Sequence, residues 1–304
     1  ASVLLARLRA VTSALRAAAA RHGVALLASG VDPFNRLEDA PLVVRSARYL
    51  RMDRYLAVRG PAGPRMMRQT AAFQVNLDLG ERPLERWRVL NRLAPWVIAV
   101  FANSPRYAGT ATGERSYRAG LWRTLDPART GWFLTPDADE RAYLDFALTA
   151  PFLFREDTGG RSLPFADWLE RGDVGPAEFA AHLGTLFPEV RPRGYLEVRS
   201  ADAVEAEWWP ALLALLGGIA HHPPALGAAR EVLADLDDEL LARAGRAGLA
   251  EPVIAAAARD LVRIALHGCH ALGDAFLAAP DLDAARDILE QRTLRGIDPG
   301  SAAG

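Results

Sequence analysis

Between residues 73 and 78 apolar and polar side chains alternate, and a two-residue period puts Gln74, Asn76 and Asp78 on one face of a strand and Phe73, Val75 and Leu77 on the other. Residues 194–199 repeat the design, with Tyr195, Glu197 and Arg199 opposite Leu196 and Val198. Most other segments repeat at helical spacing. The pattern predicts helices over residues 2–22, 47–56, 83–101, 140–150, 165–170, 176–183, 208–220, 224–243, 252–278 and 282–292. Two further apolar runs, residues 24–28 and 152–154, read as short strands. Residues 103–136, ending at Pro136, are rich in Gly, Thr, Arg and Pro, and a loop of that length is expected to cover a site.

If the two polar-faced strands share a sheet, its face offers Gln74, Asn76, Glu197 and Arg199 as oxygen ligands for hard cations and as donors for phosphate oxygens. The plainer alternative is a wet sheet face carrying a cross-strand Glu–Arg pair, worth about 0.2–1 kcal/mol. Periodicity leaves both open.

At 304 residues the chain is long enough for one large domain or two intimately packed lobes. A net charge of −1 with mixed signs provides no basic stripe, which argues against nucleic acid or an anionic membrane as partner. Every one of the 36 basic residues is Arg, so lysine-dependent chemistry (a phosphate-binding lysine, a Schiff base) is excluded. A single Cys, Cys269, rules out an internal disulfide framework and fits a reducing compartment. No apolar run approaches the ~20 residues of a membrane span, and a cytoplasmic location is the expectation. The cluster His267-Gly268-Cys269-His270 is set aside as a metal site, because it lies inside an Ala/Leu-rich helix with no further ligands at metal spacing.

Four Arg fall between residues 115 and 129, where planar guanidinium groups could grip carboxylates or phosphates in two-pronged fashion. Together with Met66-Met67, Thr70, Gln74-Val75-Asn76-Leu77-Asp78, Phe101-Ala102-Asn103-Ser104-Pro105, Arg129-Thr130-Gly131, Phe165-Ala166-Asp167-Trp168 and Tyr195-Leu196-Glu197-Val198-Arg199, they make residues 20–220 resemble the plant-type glutamate–cysteine ligases (glutamate–cysteine ligase type 2). The ergothioneine-pathway ligases are similar, but Gln74-Val75-Asn76 and Ala201-Asp202 lean toward the plant-like branch.

That resemblance implies an α+β protein: a curved, mostly antiparallel sheet with flanking helices, in the glutamine-synthetase-like ligase fold. Residues 1–220 would form the core and residues 221–304 a helical part packed on it. It implies ATP and Mg²⁺, with glutamate phosphorylated on its side chain and cysteine, or another amine, displacing the phosphate. By family position Gln74 and Glu197 are metal ligands, Asn76, Arg129 and Arg199 approach ATP, and Arg129 and Arg199 act on the phosphoryl group. Arg48 and Arg118 are assigned to the glutamate α-carboxylate, and Met67, Thr70, Trp122 and Tyr143 to the acceptor pocket. Family members carry an acidic Glu-x-Glu strand that is not found in this chain, so a preceding segment is expected to complete the metal site. The product would feed glutathione or ergothioneine biosynthesis. A changed acceptor, or a non-catalytic protein that binds glutamate or nucleotide, are the alternatives.

Overall fold

The computed structural model describes residues 1–135 and 137–303; Pro136, the end of the expected covering loop, lies outside the described residues. The architecture is mostly helical with small antiparallel sheets. Helix α1 (Ser2–Ala20) leads into an extended stretch over residues 24–28 that joins no sheet, with Val24 and Leu27 more than half exposed. The strand expected there therefore does not form: an apolar run becomes a strand only where a partner backbone runs beside it.

Helices α2 (Ala47–Ala57) and α3 (Ala62–Gln69) follow. The Ser46 side chain caps α2 by accepting from the Tyr49 N–H. Helix α3 escaped the periodicity because it is only eight residues long and contains Gly63 and Pro64. Strand β1 (Val75–Leu77) comes next, then helix α4 (Pro83–Val100), which is buried on all sides from Val89 onward rather than along one stripe. The donors of its buried polar members find partners inside the protein, although the Asn91 side-chain oxygen has none. Asn91 donates to Trp87 O, and the Arg92 guanidinium donates to the carbonyls of Leu134, Leu233 and Ala234.

The expected loop after α4 is structured in part. It holds a hairpin of β2 (Arg106–Tyr107) and β3 (Thr110–Ala111), then helix α5 (Tyr117–Leu125), capped by Ser116. Helix α6 (Glu140–Thr149) is capped by Asp139. The strand expected at residues 152–154 is a turn, reached through a single bridge between Pro151 and Pro164, and Phe152 packs edge-on to Phe165. Helices α7 (Phe165–Glu170) and α8 (Pro176–Leu183) precede strand β4 (Val190–Pro192), a tight turn at Gly194 with φ of 78°, and strand β5 (Leu196–Val198).

Strands β1, β5 and β4 form one antiparallel sheet in that order, pairing Asn76 with Glu197 and Glu197 with Arg191. Val75, Leu77, Val190, Leu196 and Val198 turn inward against α4, and the Trp87 indole N–H donates to Val190 O at 3.0 Å. The other face carries Gln74, Asn76, Arg191, Glu197 and Arg199.

The last third is helical: α9 (Trp209–His221), α10 (Pro223–Val232), α11 (Leu240–Ala247), α12 (Pro252–Leu272) and α13 (Ala279–Arg286). The helix expected over residues 224–243 is two, and α12 stops at Gly273, whose φ of 70° suits only glycine comfortably. Buried side chains of α4, the sheet, α9, α10, α11 and α12 form one continuous core that crosses position 220. Among the described residues no single helix is long and apolar enough to cross a membrane. The apolar pair α9 and α10 is bent by 101°, and α9 is buried from Trp209 to Ala220.

Candidate functional site

Over the polar face of the sheet lies a cavity of about 360 Å³ to which five stretches of chain contribute. Helix α2 supplies Arg48, Tyr49 and Met52, and α3 supplies Met66 and Met67 with Thr70 just beyond it. Helix α5 adds Arg118 and Trp122, Gly184 and Phe187 come from the segment before β4, and the sheet adds Gln74, Arg191 and Arg199. Sequence reasoning anticipated Arg48, Met67, Thr70, Gln74, Arg118, Trp122 and Arg199, and the structure brings these seven together.

The residues it missed are Arg191, Met52, Met66, Tyr49 and Phe187. For Arg191 a signal existed: Val190-Arg191-Pro192 before the turn at Gly194 is the outer half of a hairpin with residues 196–198. The three methionines here are all that the chain possesses. Thioethers are polarizable and adaptable, so this part of the wall suits a small, soft, weakly polar group.

Charge defines the opposite part. Glu197 Oε2 accepts from Arg191 and from Arg199, each at 2.7 Å, and all three side chains are less than a tenth exposed. Burial pushes the Glu197 carboxyl up, but Arg199 and Arg191 outweigh it and hold it below the ordinary carboxylate range. Burial, joined by Arg191, pushes the Arg199 guanidinium down to about 10, with Glu197 pulling the other way. Arg118 donates to Arg199 O at 2.7 Å and Ser200 O at 3.3 Å, faces Asp202 at 3.6 Å, and packs 5.1 Å from the Trp122 ring centroid. Arg199 packs against the same ring at 5.5 Å, and the indole N–H donates to Phe187 O at 3.0 Å, which fixes the ring beside both guanidinium groups. Arg48 donates to Gly184 O. Four guanidinium groups against the carboxylates of Glu197 and Asp202 leave the wall positive, and it can hold carboxylate or phosphate oxygens.

Four anticipated residues lie elsewhere. Arg129, expected beside ATP, is fully buried. It ion-pairs with Asp126 at 3.2 Å, donates to Thr185 Oγ1 at 2.8 Å and to Pro151 O, and stacks on Tyr55. It clasps the segments behind the cavity and does not line it. Tyr143 lines a separate hollow of about 290 Å³ with Trp87, Leu84 and Leu196, where burial pushes its hydroxyl up to about 12. Asn76 is exposed and opens onto a groove of about 720 Å³ along β1, walled by Leu4, Leu8, Leu213 and Phe276; Gln74 borders both spaces. Glu197 lies beneath Arg191 and Arg199 rather than on the cavity surface.

The residues present do not by themselves fit a magnesium site. Gln74 offers one amide oxygen, 3.5 Å from Arg199, and Glu197 Oε2 is already engaged twice. No group of three or more acidic, His or Cys side chains placed to hold a metal occurs among the described residues, whereas such a cation takes about six oxygen ligands. Cys269 is buried at the crossing of α9 and α12, where burial pushes its thiol up to about 12, an inert setting.

Set beside known proteins, residues 2–296 match the family described as glutamate–cysteine ligase family 2 (GCS2). Glutamate–cysteine ligase EgtA of Mycolicibacterium smegmatis is 37% identical over 277 residues, covering 86% of this chain and 64% of that protein. EgtA of Mycobacterium tuberculosis is 37% identical over 246 residues, covering 73% of this chain and 56% of its own length. The chloroplastic glutamate–cysteine ligase of Nicotiana tabacum is 31% identical over 286 residues, covering 85% and 54%. Identity is thus higher to the mycobacterial proteins than to this plant enzyme, against the lean of the short motifs. The chain spans 54–64% of the length of these curated relatives.

Proposed function

The chain belongs to glutamate–cysteine ligase family 2, and from that premise we propose that the protein is an ATP- and Mg²⁺-dependent ligase joining the side-chain carboxylate of glutamate to the amine of cysteine through a γ-glutamyl phosphate. The observation that carries the reading is the division of the 360 Å³ cavity into an arginine wall and a methionine wall. Ligases of this family use ATP, and transfer of its terminal phosphoryl group to a carboxylate crowds negative oxygens together. Arg48, Arg118, Arg191 and Arg199 supply the opposing charge, in a setting where water is partly excluded and each hydrogen bond is stronger.

Residues Met52, Met66 and Met67 face the same space and suit the thiol-bearing side chain of the acceptor, while Trp122 and Thr70 shape its wall. Every cavity residue lies between positions 48 and 199, which supports a core over residues 1–220 with the helices of residues 221–304 packed behind it. The small polar-faced sheet backed by helices is in keeping with the glutamine-synthetase-like fold that the family implies. Magnesium needs oxygen ligands beyond Gln74 and Glu197, so no chemical step is assigned to those two residues.

Release of ADP from ATP by the protein at its full natural length tests the reading. Release that requires both glutamate and cysteine, with a product of the mass of γ-glutamylcysteine, is expected. Release with a different amine would reassign the acceptor, and no release above background with any amine would overturn the ligase reading.

A further inference from the structure

Behind the arginine wall sits a carboxylate that is not itself part of the cavity surface. Asp202 is 1% exposed, yet its oxygens gather donors from two other parts of the chain: the Asn103 N–H at 2.8 Å, the Ser104 hydroxyl at 2.7 Å and the Ser116 hydroxyl at 3.0 Å. A fourth neighbour, the cationic Arg118 Nη1, lies 3.6 Å away. The surroundings are closed around it. A Cβ on Gly30 would sit 2.3 Å from the Asp202 carboxyl carbon, so only glycine leaves room for that side chain. The backbone at Asp202 bridges Ala72, between Thr70 and Gln74 of the cavity, and Arg199 is three residues upstream.

These contacts also build the turn that presents Arg118. Ser116 caps α5, and its hydroxyl accepts from the Ala119 N–H at 3.2 Å while donating to Asp202. Ser104 does the same one residue earlier in the helix, accepting from the Arg118 N–H at 3.1 Å and donating to Asp202. The guanidinium of Arg118 is held by two carbonyls and faces Asp202, and its Nε–H finds no partner within the protein. Both the backbone and the head group of Arg118 are therefore referred to one buried carboxylate.

We propose that Asp202 is a positioning residue that sets the orientation of the Arg118 guanidinium in the cavity wall, through its charge and through Ser104 and Ser116. The part of the inference that concerns glutamate rests on the ligase reading above; the orientation itself does not. The test uses the full-length protein with ¹⁵N-arginine and follows the Arg118 Nε–H signal, identified by its loss in Arg118→Met. In Asp202→Asn, which keeps the side-chain shape, exchange of that proton with solvent should accelerate at least tenfold. The Nε–H signal of Arg199, whose Nη1 donates to Glu197 and which has no contact with Asp202, should keep its rate. Should Asp202→Asn fail to fold, Ser104→Ala and Ser116→Ala each remove a single hydrogen bond to Asp202 and should each accelerate exchange a few-fold. Unchanged exchange in the variants that fold, or equal acceleration at Arg118 and Arg199, overturns the proposal.

Titration with L-glutamate supplies the second arm. Asp202→Asn should weaken binding about tenfold in the wild-type background and have no further effect in Arg118→Met. An equal loss in both backgrounds overturns a role through Arg118. If exchange responds as expected while the wild type binds no glutamate, the positioning role stands and the ligase reading fails.

Discussion

Replacing Glu197 with Gln removes one charge from the centre of the sheet's polar face and almost nothing else. Two guanidinium groups, each less than a tenth exposed, then share an amide oxygen in place of a carboxylate. Arg199 already titrates near 10 with Glu197 present, so burial is costly for it before any change. Breaking a buried ion pair by removing one partner costs about 3–5 kcal/mol, and retention of an accepting oxygen puts Glu197→Gln near the lower end, about 3 kcal/mol. With 304 residues and an unfolding entropy of about 2.1 cal/mol/K per residue, the midpoint slope is roughly 0.6 kcal/mol/K and Tm should fall by about 5 °C. Adding Arg191→Met removes one of the two uncompensated cations and should restore about 1–2 kcal/mol. Thermal unfolding of the wild type, the single and the double variant reads this directly. A Tm for Glu197→Gln within about 1 °C of the wild type, or a double variant less stable than the single one, would refute the charge-bridge reasoning. A magnesium-induced rise in Tm that Glu197→Gln abolishes, at unchanged metal-free Tm, would place Glu197 on a cation instead.

Arg129→Met should destabilise by about 3 kcal/mol, since it takes from buried Asp126 its nearest cation and leaves it the Tyr55 hydroxyl and Arg59 at 3.7 Å, yet leave glutamate affinity of the folded protein within about twofold; a large affinity loss at unchanged stability would return Arg129 to the site. His182 is buried and stacked on Phe165, and its Nε2–H donates to Ala147 O, leaving Nδ1 unpartnered. Burial pushes the imidazole down to about 4. The unfolded chain thus binds the extra proton between pH 6.5 and 4, stability is lost as pH falls through that window, by about 3 kcal/mol in all, and urea midpoints at pH 7 and pH 4.5 should differ less in His182→Gln than in the wild type. Finally, α9 and α12 cross where a Cβ on Gly268 would sit 1.9 Å from Gly218 O, so Gly268→Ala should lower Tm, although alanine in an open helix would gain up to about 1 kcal/mol; a raised Tm would contradict the close approach.

What the chain declared by itself was local. Six alternating residues around Gln74 and six around Glu197 carried the two-faced strands, because a strand's side-chain period is independent of its surroundings. Helices with strong spacing and clear caps, such as α6 behind Asp139 and α4 opened by Pro83, were readable for the same reason. The short motifs also marked seven of the residues that line the cavity.

Tertiary structure decided the rest, and the reasons are physical. Residues 24–28 and 152–154 have the apolar content of strands, but the first joins no sheet and the second has only the Phe152 N–H to Leu163 O bond beside the Pro151–Pro164 bridge, too little for a ladder, and pairing is a property of two segments. Arg118, Arg129, Arg191 and Arg199 are chemically identical, so only packing could make Arg129 a buried clasp and the other three a cavity wall. Met52 and Met66-Met67 are separated in sequence by a helix break, and they meet because α2 and α3 fold against each other. Burial, not residue type, turned Asp202 from the end of a motif into the anchor behind Arg118: a carboxylate enclosed away from water must find its donors in the protein, and those donors come from segments that the sequence keeps about a hundred positions apart.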